Sequence, residues 1–514
     1  MLKRVLRSIS ALFVGQSLNI VGNLFLVPLF LSRWSTGMYG EWMALSALVA
    51  YFGVTDLGMN SAAGNAMTAA YARGDLRNYR YLQASAMAFY VGIAVSVSIL
   101  FGFLVAFLPI PAWIGIRYIP PVVAAWVTWL LALRLLWQMP AAQLGSIYRS
   151  TGNLAATQWF GNLQSIGLLA VTASVLLLHG GVLHLALWGA VPMIAVTAGA
   201  WFSLRRSHPE LLPKLSEARF EGFRELLSPS LLFGLIMLSM ALTLQGPVLM
   251  VSSALGGTAV ALLVTTRTLA NVVKQMVAPV QLALWPELTR LDALGADASL
   301  RLGHRLLTIG SLTVCAAFGG ALWFEGASVI EVWTGGRLTP GIWLLRLFLL
   351  ALVLQAPWLA SSLFTTANNR HRRLAYSYAI TAILSLTATA FLLRPYGLLA
   401  VPLGGIVGEA LACYHFVVKD ACGVLKEDYT RFAVRLWAGV AAISCSALAA
   451  GWLGHSLAIG PAPLRWFQVG VLTSVVAVLS GWCFGLGKDD RSRLMRWGKS
   501  KWPSPEASAA LDVI

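Results

Sequence analysis

The chain has 514 residues, 58% of them hydrophobic and only 11% charged, with a mean hydropathy of +0.74. A soluble domain carries about 25% charged residues, so this composition excludes an ordinary soluble globular protein and makes lipid the main solvent. The net charge of +17 would suggest nucleic acid as partner of a soluble chain; its distribution along the loops, given below, excludes that partner. The five cysteines, Cys315, Cys413, Cys422, Cys445 and Cys483, are odd in number and scattered through apolar runs. None has a CxxC or Cys/His ligand spacing, so no disulfide framework, no metal and no other cofactor is expected.

The start carries Lys3, Arg4 and Arg7 and enters an apolar run reaching about Leu31. That run is too long for a signal peptide and lacks a small-residue cleavage site, so it reads as an uncleaved first span. Gln16, Asn19 and Asn23 share one helical face of it; such amides either line a cavity or join helices. A second span is predicted from Tyr39 through Leu57, with Asp56 in VTDLG and an amphipathic tail to about Ala72. Further spans are predicted at 81–108, 118–140, 154–178 and 182–204. Span 118–140 carries Arg134, near Gln138 on its own helix. The polar stretch RRSHPELLPKLSEARFEGFREL at 205–226, rich in proline and charge, marks a connection between two halves. Spans resume at 226–254, 257–285, 305–325, 340–366, 374–394, 397–417, 431–455 and 464–486. Each is long enough for a hydrocarbon core that needs about 20 helical residues.

The expected fold is therefore an all-α polytopic membrane protein of about fourteen transmembrane helices. It divides into an N-terminal six-helix lobe at 1–204, a linker at 205–225, a second six-helix lobe at 226–418, two additional helices at 431–486 and a basic tail at 487–514. With the N-terminus in the cytoplasm and alternation thereafter, the outer loops hold only Arg33, Arg117, Arg337, Arg394 and Arg465, while most of the 37 Lys and Arg fall on cytoplasmic segments. That asymmetry predicts both termini inside. It also places the positive charge against anionic lipid headgroups rather than nucleic acid.

Chemistry concentrates in span 257–285, GTAVALLVTTRTLANVVKQMVAPVQLALW. Arg267, Asn271 and Lys274 recur at i, i+4 and i+7 and so share a helical face. A cation near mid-bilayer costs several kcal/mol unless it faces protein or water. Two cations on one stripe suggest the wall of a cavity suited to an anionic cargo; the competing reading is helix packing or, for Lys274, snorkelling to the interface. Asp56 lies 17 residues from Tyr39, as Lys274 lies 17 from Gly257, so equal depth permits an ion pair across a shared cavity. In span 226–254, Gln245-Gly246-Pro247 loses a backbone donor at Pro247, which reads either as a moving bend or as a static kink. Glu409, in GGIVGEALACY, reads as a proton or cation relay, with the glycines beside it as helix packing. Arg346 reads as snorkelling at the outer end of its span.

The second span with its exit, YGEWMALSALVAYFGVTDLGMNSAAGNAMTAAYARGDLRNY, is echoed by 256–300, which has a span, an amphipathic exit and a Gly-Asp turn. Both fall second in a block of six, which suggests parallel repeats with the substrate path between halves. The YGEW…DLG element, LGGTAVALLVTTRTLANVV, the exit LWPEL and the span layout resemble the polysaccharide flippase family of the multidrug/oligosaccharidyl-lipid/polysaccharide exporter superfamily, most clearly at 36–80 and 250–305. The resemblance implies two six-helix lobes in a V around a central cavity, lined largely by spans 1, 2, 7 and 8. It implies translocation of an undecaprenyl-diphosphate-linked oligosaccharide across the bacterial inner membrane by alternating access, for O-antigen or exopolysaccharide assembly. Membrane lipids, a polysaccharide polymerase and glycosyltransferases are the partners it implies. Mapped span by span, the cavity candidates are Gln16, Asn19, Asn23, Asp56, Gln245, Arg267, Asn271 and Lys274, with Arg134 a further candidate and Asp56 and Glu409 candidates for ion coupling. A multidrug exporter of the same superfamily competes, though such exporters have twelve spans and usually acidic cavities. A membrane polymerase or ligase is a third reading, but the longest outer loop, about 326–340, holds only Glu331 and Arg337 as charges. No nucleotide-binding loop or nucleophile motif occurs, so the chain reads as a transporter and not an enzyme.

Overall fold

The computed structural model describes residues 2–293, 297–367 and 372–499, and among them only helices and turns occur. The side chains of Lys3, Arg4, Arg7 and Asn23, residues 294–296 of the predicted Gly-Asp turn, Arg370 and the tail beyond 499 lie outside the described residues. The contacts divide the chain into two compact units, Met1–Thr265 and Thr266–Ile514. Among the described residues, eleven stretches are long and apolar enough to cross a membrane, and one of them, Arg372–Val424, holds two of the predicted spans. The predicted spans at 39–57 and 257–285 fall outside these stretches.

The first unit contains α1 (Leu2–Arg33), α2 (Thr36–Ala50), α3 (Met59–Ala72), α4 (Leu76–Phe107), α5 (Ile110–Trp113), α6 (Pro121–Ser150), α7 (Leu154–Leu177), α8 (Val182–Trp188), α9 (Val191–Ser207) and α10 (Phe220–Leu255), and it takes in the first turns of α11 (Gly257–Ala293). Polar caps set several of these starts: Ser35, Asp75 and Asn153 each accept a hydrogen bond from the backbone N–H three residues on. The helices α1 and α7 run parallel, because a Cβ on Gly15 would meet Asn162 and one on Gly22 would meet Leu169. Two chain segments separated by three crossings must run the same way, so this contact agrees with alternating spans between them.

The second predicted span is not one helix, and here the sequence reading is corrected. Helix α2 stops at Ala50, Tyr51–Asp56 forms a tighter turn, and the helix is interrupted at Leu57 (φ 49°) and Gly58 (φ 73°) before α3 continues in the same direction along α6, with Glu41 at Ile119, Thr55 at Met139 and Asn60 at Ser146. Thr55 Oγ donates to Phe52 O at 2.7 Å, competing with the regular ladder; Gly58 supplies the left-handed geometry at no steric cost. The predicted span 182–204 is likewise divided, at Gly189–Ala190, with Pro192 opening α9. Glu41 of the YGEW stretch is fully buried and accepts the backbone N–H groups of Arg117, Tyr118 (2.7 Å) and Ile119 (2.8 Å), which fastens α2 to the segment entering α6. Beside it, a Cβ on Gly40 would lie 1.6 Å from Gly257 O, so only glycine permits α2 and the start of α11 to approach this closely.

The second unit contains the rest of α11, α12 (Asp297–Thr334), α13 (Ile342–Ala367), α14 (Arg372–Tyr396), α15 (Ala400–Ala412), α16 (Phe416–Val424), α17 (Tyr429–Leu457), α18 (Ala462–Ser480) and α19 (Lys488–Lys499). Its core gathers Val273, Leu312, Cys315, Val353, Trp358, Leu436 and Ile443. Helices α14 and α15 form an antiparallel pair: Gly404 faces Thr389 and Gly408 faces Ser385, the close backbone approach that small residues permit between membrane helices. The C-terminal pair α17–α18 packs along α12 and is part of this unit. The contacts His304–Phe432, Gly320–Ala447 and Glu325–His455 make α12 and α17 parallel. Glu325 Oε1 takes His455 at 2.6 Å and Arg465 at 3.4 Å. At the other end of α12, Arg305 holds Glu427 at 2.5 Å and Asp490 of α19 at 3.2 Å. Arg346 does not simply reach outward: its guanidinium lies over the rings of Trp323 and Trp343 and donates to Trp323 O at 3.2 Å.

Candidate functional site

Helix α11 carries Arg267, Asn271 and Lys274 at the spacing read from the sequence; Arg267 and Asn271 are half-buried and Lys274 is exposed. From Lys274 a chain of side chains runs through the second unit. Lys274 Nζ donates to Gln355 Oε1 of α13 at 2.9 Å. Gln355 Nε2 donates to Glu409 Oε1 of α15, and Trp358 Nε1 donates to Glu409 Oε2 at 3.1 Å. Glu409 is 7% and Trp358 3% exposed. An ammonium and a buried carboxylate are thus joined through one amide, whose carbonyl faces the cation and whose N–H faces the anion. This matches what a charge in lipid needs: a partner of opposite sign or a polar bridge to one.

The first unit carries a second arrangement of the same kind. Asp56, at the end of the turn before Leu57, accepts from the Tyr90 hydroxyl of α4 and from Asn60 N at 3.4 Å. Arg149, in the last turn of α6, donates to Asn60 O at 2.8 Å and to Ser146 Oγ at 3.3 Å, and Ser146 Oγ donates to Asn60 Oδ1 at 2.8 Å. The Arg149 guanidinium rests on Gly64, where a Cβ would lie 1.7 Å from Nη2. A cavity of 240 Å³ opens beside it, lined by Asn60, Gln138, Ser146, Arg149, Thr157 and Gln164 among others.

Arg134 does not pair with Gln138. Gln138 exchanges amide hydrogen bonds with Gln164 at 2.6 and 3.3 Å, and Arg134 Nη1 reaches Gly189 O at 3.5 Å, at the break between α8 and α9. The structure brings Arg134 and Asn19 together instead, with Trp42, Ser46 and Ser165, around a cavity of 290 Å³. Gln16 and Gln245 are half-buried on α1 and α10 and line neither cavity. Asp56 belongs to the first unit and Lys274 to the second, and each has the partners within its own unit just described.

Sequence reasoning passed over Asn60, Tyr90 and Arg149 in the first unit and Gln355 and Trp358 in the second. Gln355 carried a usable signal, as the sole amide in the apolar run LLALVLQAPWLA. Arg149 was read as a loop charge, yet it folds back, half-buried, onto α3. Tyr90 had no signal, because an aromatic in an apolar run reads as core.

No family model matches the chain, and no curated protein matches it in sequence. Solved structures do match in three dimensions. An inward-facing multidrug resistance MATE family transporter of the MOP superfamily aligns with a TM-score of 0.66 at 14% identity, covering 82% of this chain and 99% of that one. The lipid II flippase MurJ, in an inward closed conformation, also aligns with a TM-score of 0.66, at 13% identity, covering 92% of this chain and 98% of that one. The chain shares the fold of these two structures. A MATE transporter in complex with MaL6 aligns with a TM-score of 0.59 at 13% identity over 82% of this chain.

Proposed function

We propose that the chain is a flippase that carries an undecaprenyl-diphosphate-linked oligosaccharide across the bacterial cytoplasmic membrane by alternating access, with both termini in the cytoplasm. The observation that carries this reading is the stripe on α11: an exposed Lys274, seven residues beyond Arg267, tied through Gln355 to a buried carboxylate. A diphosphate headgroup sheds water when it leaves the aqueous phase, and cationic donors on a membrane helix replace that water. As cargo takes Lys274, Glu409 loses its bridged counter-charge; uptake of a proton or cation by Glu409 then couples transport to an ion gradient. Sugar hydroxyls find amides and tryptophan at Asn19, Trp42, Gln138 and Gln164. Of the solved folds, the flippase accounts for 92% of this chain and the multidrug transporters for 82%, which supports a lipid-linked cargo over a drug. A polysaccharide polymerase and glycosyltransferases are the partners such a role requires, and no catalytic step by this chain is part of it.

The test is surface glycan in the native host, measured per unit of membrane-inserted protein. Arg267→Gln and Arg267→Ala are expected to abolish export at normal protein levels. Arg267→Lys is expected to retain part of it, since lysine keeps the charge and loses the two-pronged fork that fits phosphate oxygens. Parental export by Arg267→Gln would overturn the cationic mechanism, and loss of the protein with normal export per surviving molecule would make Arg267 structural.

A further inference from the structure

At the end of α12 opposite Glu325, three side chains from distant parts of the sequence converge. His304 lies in α12, Cys422 in α16 and Glu427 in the turn before α17. One ligand-competent atom of each lies within 4.8 Å of the others. His304 and Cys422 are fully buried. The His304 ring is fixed in place, stacked on Phe432 at 4.7 Å and edge-on to Phe364 at 5.0 Å.

The hydrogen bonds around the cluster determine which atoms face inward. The Ser361 hydroxyl donates its one proton to Pro357 O at 2.9 Å. Its oxygen therefore accepts from His304 Nε2, 2.9 Å away, which puts a proton on Nε2 and, in the neutral ring, leaves a lone pair on Nδ1. Glu427 Oε1 is taken by Arg305 at 2.5 Å. His304 Nδ1 and Glu427 Oε2 face each other at 3.5 Å, and neither has a hydrogen-bond partner. Two lone pairs at that distance in a buried site repel unless a positive centre lies between them. Around a tetrahedral zinc ion, nitrogen and oxygen ligands sit about 3.4 Å apart. The surroundings match a metal site as well: the other histidine nitrogen meets a hydroxyl, and the other carboxylate oxygen meets a guanidinium, the outer partners that orient metal ligands.

We propose that His304 Nδ1, Glu427 Oε2 and Cys422 Sγ bind a zinc-class divalent cation that joins α12, α16 and the turn into α17. Cys422 enters the coordination as thiolate, and its proton is released to solvent on binding. Three protein ligands leave one position of a tetrahedral ion to water. The spacing rule searches for ligands close in sequence and does not register a cluster whose His304 and Cys422 meet only in the folded unit.

The experiment uses the full-length untagged protein in detergent, stripped with EDTA, loaded with Zn²⁺ and desalted before elemental analysis. About one zinc per chain is expected, with EDTA lowering the unfolding temperature of the parent and leaving that of Cys422→Ser unchanged. Cys422→Ser is close in volume and keeps the fold testable. Ser361→Ala, which frees the ring orientation, is expected to weaken zinc about 10- to 100-fold. With Co²⁺ in place of Zn²⁺, the parent shows a thiolate-to-cobalt charge-transfer band that Cys422→Ser lacks. A parent that retains no zinc, or a cobalt spectrum without the thiolate band, overturns the proposal; in the first case a second proton on His304, paired with Glu427, fills the gap.

Discussion

The two units solve the same electrostatic problem with different parts. Each joins a carboxylate to a cation through one amide residue: Asp56 to Arg149 through Asn60, and Glu409 to Lys274 through Gln355. In the first unit the joining groups are the backbone N–H and C=O of Asn60, fixed at the start of α3. In the second both joining groups belong to the side chain of Gln355. A backbone bridge moves only if the helix moves, whereas a side-chain bridge breaks by rotating a few bonds. The first arrangement therefore suits a fixed polar frame, and the second, under the function proposed above, suits a connection made and broken at each turnover.

Substitutions at the two amides separate these roles most sharply. Gln355→Leu removes both bonds at once and leaves Glu409 Oε1 without its donor. The fold should lose about 1–2 kcal/mol per bond, at the upper end for membrane helices, and export should fall by about tenfold or more, equivalent to 1.4 kcal/mol of barrier. Thermal unfolding and surface glycan measure the two effects separately. An intermediate effect is expected at Gly64→Ala, whose new Cβ occupies the position of Arg149 Nη2. The guanidinium is the free end of a flexible side chain, so it swings away, losing its bonds to Asn60 O and Ser146 at about 1–2 kcal/mol; export should drop severalfold. Asn60→Ala should be the mildest. It removes the bond from Ser146 and leaves the backbone bridge intact, so stability should change by less than about 1 kcal/mol and export should stay near parental. If Asn60→Ala proves as harmful as Gln355→Leu, the contrast between frame and switch fails.

Much of the fold was legible because span length and charge asymmetry are properties of a continuous stretch. Both ends of α7 and α17 fall within two residues of the predicted spans, whereas α6, predicted to end at 140, continues through Pro140 to Ser150. The broken second span was not legible, because hydropathy continues through Phe52–Leu57 while the backbone leaves the helix. The α11 stripe was legible because i, i+4 and i+7 share a face on any helix. Its continuation to Glu409 was not, since it depends on how α11, α13 and α15 pack. Glu409 was singled out by its charge alone, and Gln355, the residue that connects it to Lys274, was passed over although it is the sole amide in its apolar run. Asn19 and Arg134 show the same limit in reverse: each was noted separately, and only the packing of the first unit puts both around one cavity.

The central claim is that an anionic, lipid-linked cargo crosses with the help of the α11 cations. Its most direct measurement places the purified chain in vesicles with a sugar-labelled undecaprenyl-diphosphate oligosaccharide and follows, with time, the fraction of label that an added glycosidase can reach. The account predicts transfer about tenfold or more above protein-free vesicles, reduced to that background by Arg267→Gln and partly retained by Arg267→Lys. Transfer no faster than in protein-free vesicles, or transfer by Arg267→Gln equal to the parent, would contradict it.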